Sequence, residues 1–537
     1  MFMRSESLSS WVDRRLAHIP ASTVAVAAVG CTVASLYLWT HCVRDGDLFG
    51  RGKAAVNQCL RSLLRQYIGK QIDENVRSIK LPSLPEDDLR NLDALPNHGW
   101  PLSDVVDECK RRSAMLDHQM SVDRLSGVVY GDTGCDKTVA LTAVVSSQLW
   151  SNPLFADYFG CAKTMESELS RMVLGMFHAP PGAAATYAFG GTESILLAML
   201  SYRNRFRSSH PDVVRPTLVV PCSVHPAFDK AAHYFGIRLV KVPVNPRTLR
   251  ADIGAMRKSI THDTMAIVGS APCYPWGVID PIGELAAMAL EFGIGLHVDA
   301  CVGGFFLPFL AEAGIGAVDF DFSVEGVTTI SCDIHKWGTA PKGASMVAFR
   351  SKQLRAFATF ACSDFPGGLY VTAGVCGSKP GYAIAAAWAS VVSTGRDGYA
   401  ATTRAVHGTV QEIAAGIRAL EPHLRLMAIP DVSIIAFTSD TVDIYEVMTA
   451  LKEKGWCLSS LQFPPGVHLG VTLEHTKPGV ARTFLADLKA AVQWLAENGT
   501  SKPSAAAHMY GGTQKVHDRT IVADVLKGYV DRYYSAH

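Results

Sequence analysis

Charge is scarce and unclustered in this chain. Asp, Glu, Lys and Arg make up only 18% of its 537 residues and sum to +1. No Lys/Arg tract is interleaved with aromatic residues, so neither a global field nor a local stripe draws in nucleic acid. The 13 cysteines form no CxxC pair and no even spacing. That excludes a disulfide-stapled secreted fold and fits reduced thiols in a cytosol-facing protein. No His/Cys cluster has zinc-ligand spacing, so no metal site is expected. Internal repeats are also lacking, which excludes a solenoid.

A local absence is as informative. Between Arg15 and Arg44 there is no Asp, Glu, Lys or Arg, and the run from Ala21 to Val43 is apolar or small. Roughly 20 apolar residues cross a bilayer as a helix, and Tyr37 and Trp39 sit near its far end, where aromatic side chains favour the interface. A cleaved signal peptide would have a shorter apolar region and a small-residue cleavage site. We therefore expect one transmembrane helix at about 21–43. Arg44, Arg51, Lys53, Arg61 and Arg65 follow the span, against Arg4, Arg14 and Arg15 before it, which places the large C-terminal part in the cytosol.

What is present is a long α/β pattern. With 48% apolar residues, the chain supports more than one core. Residues 52–80 and 104–120 read as helical, with a Pro-punctuated linker at 82–101, and Val139–Leu149 reads as a further helix. Short apolar runs at 217–221, 237–244, 265–269 and 295–298 read as strands, alternating with helices at 228–235 and 282–292. The alternation predicts a mostly parallel sheet covered on both faces, with ligands at the carboxyl ends of its strands. Helices at 383–392 and 399–420 flank a turn at Gly395–Gly398. Strands at 432–437 and 467–472 with a helix at 443–454 predict a smaller domain, and 522–534 a terminal helix. The expected organisation is a tail and anchor over 1–51, a helical segment and linker over 52–150, a large cofactor-binding domain over 151–394, and a small C-terminal α/β domain over 395–537.

The chemistry gathers in four places. In Ser331-Cys-Asp-Ile-His-Lys336, a lysine follows a histidine and opens a Gly/Pro turn. A Schiff-base enzyme needs such a lysine, held by short backbone and desolvated enough to lose its proton. Upstream, Gly190-Gly-Thr-Glu-Ser194 opens a helix. Its glycines admit a ligand, and the helix N-terminus offers free N–H groups to a phosphate, with Thr192 adding a hydroxyl. Asp299, after His297-Val, either pairs with a protonated ring nitrogen or caps a helix. His225 either stacks on a ring or is structural, and the same alternatives hold for His335. Phosphate cradle, ring cover, carboxylate and lysine follow in that order and read as a pyridoxal 5′-phosphate (PLP) site. Lys342 and Lys379 are each either solvated turn residues or cations for a phosphorylated substrate.

Taken together these residues resemble the sphingosine-1-phosphate lyases, within the PLP fold-type I group that also holds the glutamate and aromatic amino acid decarboxylases. The resemblance runs from about residue 95 to the C-terminus. It includes Leu125–Tyr130, Trp150–Leu154, Gly190–Ile195, Ser223–Tyr234, Gly269–Pro272, His297–Gly304, Asp333–Gly343, Gly377–Gly381 and Gly455–Pro464. It implies that Lys336 bonds the cofactor, Asp299 pairs with its ring nitrogen and His225 stacks on the ring. It implies that Gly191 and Thr192 bind its phosphate, with His335 and Asn152 nearby. Tyr130 is implied to reach the site from the neighbouring subunit of a homodimer, and Lys342 and Lys379, with Tyr130, to hold substrate phosphate. The anchor is also a trait of these lyases, which implies an endoplasmic reticulum membrane. The chain departs from the family in having Phe155 for a histidine, Lys379 for an arginine and Trp337 for a tyrosine.

The expected activity is PLP-dependent cleavage of phosphorylated sphingoid bases between C2 and C3, to a fatty aldehyde and phosphoethanolamine. The alternatives are a PLP-dependent amino acid decarboxylase and a non-catalytic membrane-anchored scaffold.

Overall fold

The computed structural model describes Pro96 and residues 98–117, 121–131, 133–499, 504, 514 and 519–534. The expected anchor at 21–43 and the helical stretch at 52–80 lie outside the described residues. Among the described residues no helix is long and apolar enough to cross a membrane. The chain divides into two compact units, 1–116 with 511–537, and 117–510. In the first, the described elements are helices Leu102–Asp117 and Arg519–Tyr534, near the expected 104–120 and 522–534.

The second unit carries a seven-stranded sheet of β1 (Ala184–Ala188), β2 (Thr217–Pro221), β3 (Arg238–Val242), β4 (Thr264–Ser270), β5 (Gly295–Asp299), β6 (Thr329–Cys332) and β7 (Ser345–Phe349). The spatial order is β1-β7-β6-β5-β4-β2-β3. From β3 to β6 all neighbours run parallel, and only β7 runs antiparallel to both its partners, β6 and β1. The sheet is thus mixed but mostly parallel.

Six of these strands are buried at every residue. Burial on both faces removes the polar alternation of a solvated sheet, which is why β2, β4 and β5 read as short apolar runs. Edge strand β3 instead exposes Arg238 and Lys241, charges that discourage pairing with another chain. Strand β1, Ala-Ala-Thr-Tyr-Ala, gives no strand signal, because alanine disfavours strands. It is a strand because β7 offers a full ladder, from Ala184–Phe349 to Ala188–Ser345.

A hairpin pairs β8 (Phe360–Cys362) with β9 (Tyr370–Thr372). The smaller, antiparallel sheet contains β10 (Arg425–Leu426), β11 (Ile434–Thr438), β12 (Ser459–Leu461) and β13 (Gly466–Gly470), in the order β10-β11-β13-β12. Between the sheets in sequence runs the helical stretch Gly381–Arg418, interrupted at Gly395, whose φ 61° and ψ 177° are not helical. It is two helices meeting at a glycine kink, as the expected helices on either side of Gly395–Gly398 have it.

The turn after β4 is packed against β11. Gly277 has φ +69°, and a Cβ there would overlap the Ile434 carbonyl oxygen and lie 2.8 Å from Ile434 Cβ. Gly277→Ala therefore combines left-handed strain with backbone overlap. We expect about 2–4 kcal/mol of destabilisation, read as a lower melting temperature by circular dichroism. An unchanged melting temperature would contradict this packing.

Candidate functional site

Strand β5 ends at Asp299 and lies in register with β6, Asp299 opposite Ser331. Strand β6 runs out at Cys332, and the chain then turns tightly, with the Lys336 N–H donating to the Asp333 carbonyl at 3.3 Å and the Thr339 N–H to the Lys336 carbonyl at 2.9 Å. The carboxylate and the lysine therefore leave neighbouring strands at the same sheet edge. They border a cavity of about 570 Å³ whose walls also include Gly191, Thr192, His225, Tyr274, Cys301, Asp333 and His335.

Asp299 is 7% exposed. Its Oδ1 accepts from the Cys301 N–H and from the Ser331 hydroxyl, both at 3.1 Å. Among the described residues, neither the Cys301 N–H nor the Ser331 hydroxyl reaches Oδ2, since both bond Oδ1. Burial disfavours the Asp299 charge, but His297, the Cys301 thiol, His225 and the Cys301 N–H outweigh it and hold the carboxyl below its usual range. His297 is itself fully buried between Thr329 Oγ1 at 2.8 Å and Ser331 Oγ at 3.2 Å. Burial pushes its imidazole down to about 4, against the pull of Asp299.

The opposite wall is the start of helix Gly191–Ser209. Gly190 has φ +136°, and a Cβ on Gly191 would lie 2.7 Å from Cys301 Sγ and 2.8 Å from Asp333 Oδ1. Both positions therefore require glycine. No side chain caps the helix. Glu193 instead reaches back to the Phe189 N–H at 2.8 Å and across to the Val375 N–H at 3.0 Å, leaving the first N–H groups of the helix for an anion. His225 is exposed on the cavity wall, and its Nδ1 accepts from the Ala227 N–H at 3.1 Å, which puts the proton of the neutral ring on Nε2.

Lys336 Nζ lies 2.8 Å from Asp333 Oδ2. Burial works to lower the lysine pKa, but the Asp333 charge outweighs it and the net direction is up. The sequence reading expected desolvation to free this amine. The structure corrects that, since the amine is a paired ammonium. His335 is held in the turn by the Ala344 N–H on its Nδ1 at 3.3 Å, and burial lowers its pKa.

Six expected residues thus meet at one cavity: Gly191, Thr192, His225, Asp299, His335 and Lys336. Four do not line it. Asn152 spends its amide on the Gly377–Gly381 loop, accepting from the Leu154 and Lys379 N–H groups at 3.2 and 3.0 Å and donating to Ser378 Oγ at 3.1 Å. Lys379 is only 10% exposed and pairs with Glu166 at 2.9 Å, so it is not a free cation. Lys342 is exposed, with Nζ 5.7 Å from the centre of the Tyr130 ring. Tyr130, expected to serve a neighbouring subunit, is 5% exposed within its own chain. It packs edge-on to Trp337 at 5.1 Å, and burial pushes its phenol up to about 12.

The sequence reading gave no role to Asp333, Cys301, Ser331 or Glu193. Asp333 lies three residues before Lys336, and a carboxylate so placed ahead of a lysine in a turn is a signal the sequence carries. Glu193 follows the Gly-Gly-Thr run at the position where a glutamate reaches back over a helix start.

An electron-accepting ring with a carbonyl and a phosphate fits this donor set. The free Asp299 oxygen suits a ring N–H, Lys336 suits the carbonyl, and the open helix start with its obligatory glycine suits the phosphate. Comparison with known proteins agrees. Residues 161–439 match the pyridoxal-dependent decarboxylase conserved domain. The chain is 34% identical over 515 residues to sphingosine-1-phosphate lyase 1 of Rattus norvegicus, covering 95% of this chain and 89% of that protein. It is 40% identical over 389 residues to the sphingosine-1-phosphate lyase of Arabidopsis thaliana, covering 72% and 71% respectively. Among solved structures, the sphingosine-1-phosphate lyase of Burkholderia pseudomallei superposes with a TM-score of 0.73 at 37% identity, over 76% of this chain and 95% of that one. The glutamate decarboxylase of Lactobacillus brevis, at 18% identity and a TM-score of 0.66, shares the fold.

The buried His297 has a pH consequence. Its folded pKa lies below the unfolded value, so the unfolded chain binds more protons between pH 6.5 and about 4. Stability from this group is complete above pH 6.5 and falls on acidification, by up to about 1.4 kcal/mol per pH unit. We expect His297→Gln to flatten the loss of urea midpoint between pH 6.5 and 4.5. An equal slope in both proteins would contradict the burial argument.

Proposed function

We propose a residue assignment and a cellular setting for this chain, which belongs to the sphingosine-1-phosphate lyase family. It is a PLP-dependent lyase that cleaves phosphorylated sphingoid bases between C2 and C3, giving a fatty aldehyde and phosphoethanolamine. In the assignment, Lys336 bonds the cofactor, the free oxygen of Asp299 takes the ring N–H, and His225 covers the ring. The N–H groups of Gly191 and Thr192, with the Thr192 hydroxyl and His335, hold the cofactor phosphate. One observation carries this reading: a single cavity places a half-free, ionised carboxylate, a turn-held lysine and an uncapped helix start on facing walls.

The bound cofactor supplies an electron-accepting ring that holds the electron pair released when the C2–C3 bond breaks. The chain supplies the rest. Asp299 stays ionised at neutral pH and keeps the ring nitrogen protonated. Lys336 provides the amine that substrate displaces and that recovers the cofactor afterwards. Tyr130, its phenol raised to about 12 by burial, holds its proton near neutral pH and is assigned as a proton donor. Tyr274 lines the cavity and is 47% exposed, so it is the tyrosine assigned to the C3 hydroxyl.

Lys342 is the cation assigned to substrate phosphate, lying exposed six positions past Lys336. Lys379 acts through its pair with Glu166, holding the Gly377–Gly381 loop together with Asn152. Burial alone would raise the Glu166 carboxyl, but Lys379 and Lys163 outweigh it and hold it below its usual range.

For the setting, we place the apolar segment 21–43 across the endoplasmic reticulum membrane with the catalytic part in the cytosol, as a homodimer. A lipid substrate with a polar head supports such an anchor, because it keeps the site near the bilayer.

A long-chain base phosphate incubated with the full chain and PLP should yield fatty aldehyde. Lys336→Ala should reduce this by at least about three orders of magnitude. Lys342→Ala should raise KM about tenfold and leave kcat within about threefold. Carbon dioxide from an amino acid, with no aldehyde, would contradict the assignment.

A further inference from the structure

Asp333 is a buried carboxylate on the cavity wall that the assignment above leaves unused. Its side chain is 3% exposed, with Oδ2 2.8 Å from Lys336 Nζ and 3.7 Å from His335 Nε2. Its Oδ1 is buried with no hydrogen-bond partner. That atom faces the start of helix Gly191–Ser209: a Cβ on Gly191 would lie 2.8 Å from Oδ1 and 2.9 Å from Oδ2. The carboxylate thus borders both the lysine amine and the open N–H groups of the cradle.

A phosphate dianion held at those N–H groups lies beside a buried negative charge. Two anions so close, one of them a carboxylate only 3% exposed, do not both stay ionised without cost, and one of them takes a proton. The surrounding groups decide where that proton comes from. Cys301, following β5, is a neutral thiol whose pKa burial raises well above normal. Tyr130 is a phenol pushed up to about 12 by burial. His335 is turned toward its neutral form by burial. Lys342 is exposed and more distant, and burial lowers its pKa. Of these groups Lys336 lies nearest Asp333, at 2.8 Å against 3.7 Å for His335, and carries a proton it must lose before it attacks a carbonyl.

We propose that Asp333 is a positioning residue that couples phosphate docking to release of the Lys336 amine. When phosphate docks on Gly191 and Thr192, an N–H bond of the Lys336 ammonium breaks and an O–H bond forms on Asp333. No electrons change hands. The ion pair becomes a neutral amine beside a neutral acid, and the acid offers the phosphate a hydrogen bond where the carboxylate offered repulsion. Without phosphate, Lys336 stays an ammonium and is protected from chance carbonyls, including the fatty aldehyde that this enzyme releases. The inference rests on the PLP reading above and adds a reason for a buried acid between lysine and cradle.

The test uses the full chain freed of cofactor, with unphosphorylated pyridoxal and inorganic phosphate as separate probes and chloride of equal ionic strength as the control. Adduct at Lys336 is fixed by borohydride and measured by peptide mass. In the wild type at neutral pH, inorganic phosphate should speed adduct formation by about tenfold or more, a shift of one pKa unit or above. Asp333→Asn should react fast without phosphate and gain less than about twofold from it. Its rate should also rise with pH at a lower midpoint, whereas a merely structural loss would slow it at every pH. A wild-type rate indifferent to phosphate overturns the proposal, even if the variant does not fold. Equal acceleration of both proteins overturns it too. A Lys336 that pyridoxal 5′-phosphate itself never modifies would overturn the cofactor reading beneath it, so the two failures are told apart.

Discussion

The register between β5 and β6 governs the rest of the site. Asp299 stands opposite Ser331, and the Ser331 hydroxyl donates to its carboxylate at 3.1 Å. Five residues further on, after one tight turn, comes Lys336. A slip of one residue in this pairing would turn the alternating side chains to the other face of the sheet and separate acid from lysine. The burial of β4, β5 and β6 at every residue is therefore a constraint on chemistry as well as on stability.

The cavity holds several buried charges because each is balanced. Asp299 has the Cys301 N–H and the Ser331 hydroxyl on one oxygen and keeps the other for a ligand. Lys336 and Asp333 neutralise each other at 2.8 Å. The histidines behind the site are driven to their neutral forms by burial, His297 to about 4 and His468 to about 4. Charge is spent where chemistry needs it, and uncompensated charge is kept out of the core, where it would be costly. The same economy explains Lys379. Lys379 is sealed against Glu166, a compact cation suited to one partner and not to bidentate phosphate recognition.

Much of this was legible in sequence, for particular reasons. Helix Ile282–Phe292 was placed to the residue because its apolar spacing is strong and a glycine closes it. Strands β2, β4 and β5 stood out as short apolar runs between helices. The cradle, Asp299 and Lys336 stood out because polar residues interrupt that pattern at strand ends. Strand β1 was invisible because its alanines carry no strand preference, and only its ladder to β7 makes it a strand. The partners that Asn152 and Lys379 find in the fold were not legible because they lie far along the chain, Lys379 being 213 residues from Glu166. The charge state of Lys336 was misjudged because burial was visible in prospect and the folded-back Asp333 was not.

The central claim is that Lys336, set by this turn and faced by Asp299, is the residue that carries the cofactor. Its most direct test is borohydride reduction of the full chain loaded with pyridoxal 5′-phosphate, followed by peptide mass mapping. The account predicts a single phosphopyridoxyl label, on Lys336. A label on Lys342 or Lys379, with Lys336 unmodified, would contradict it.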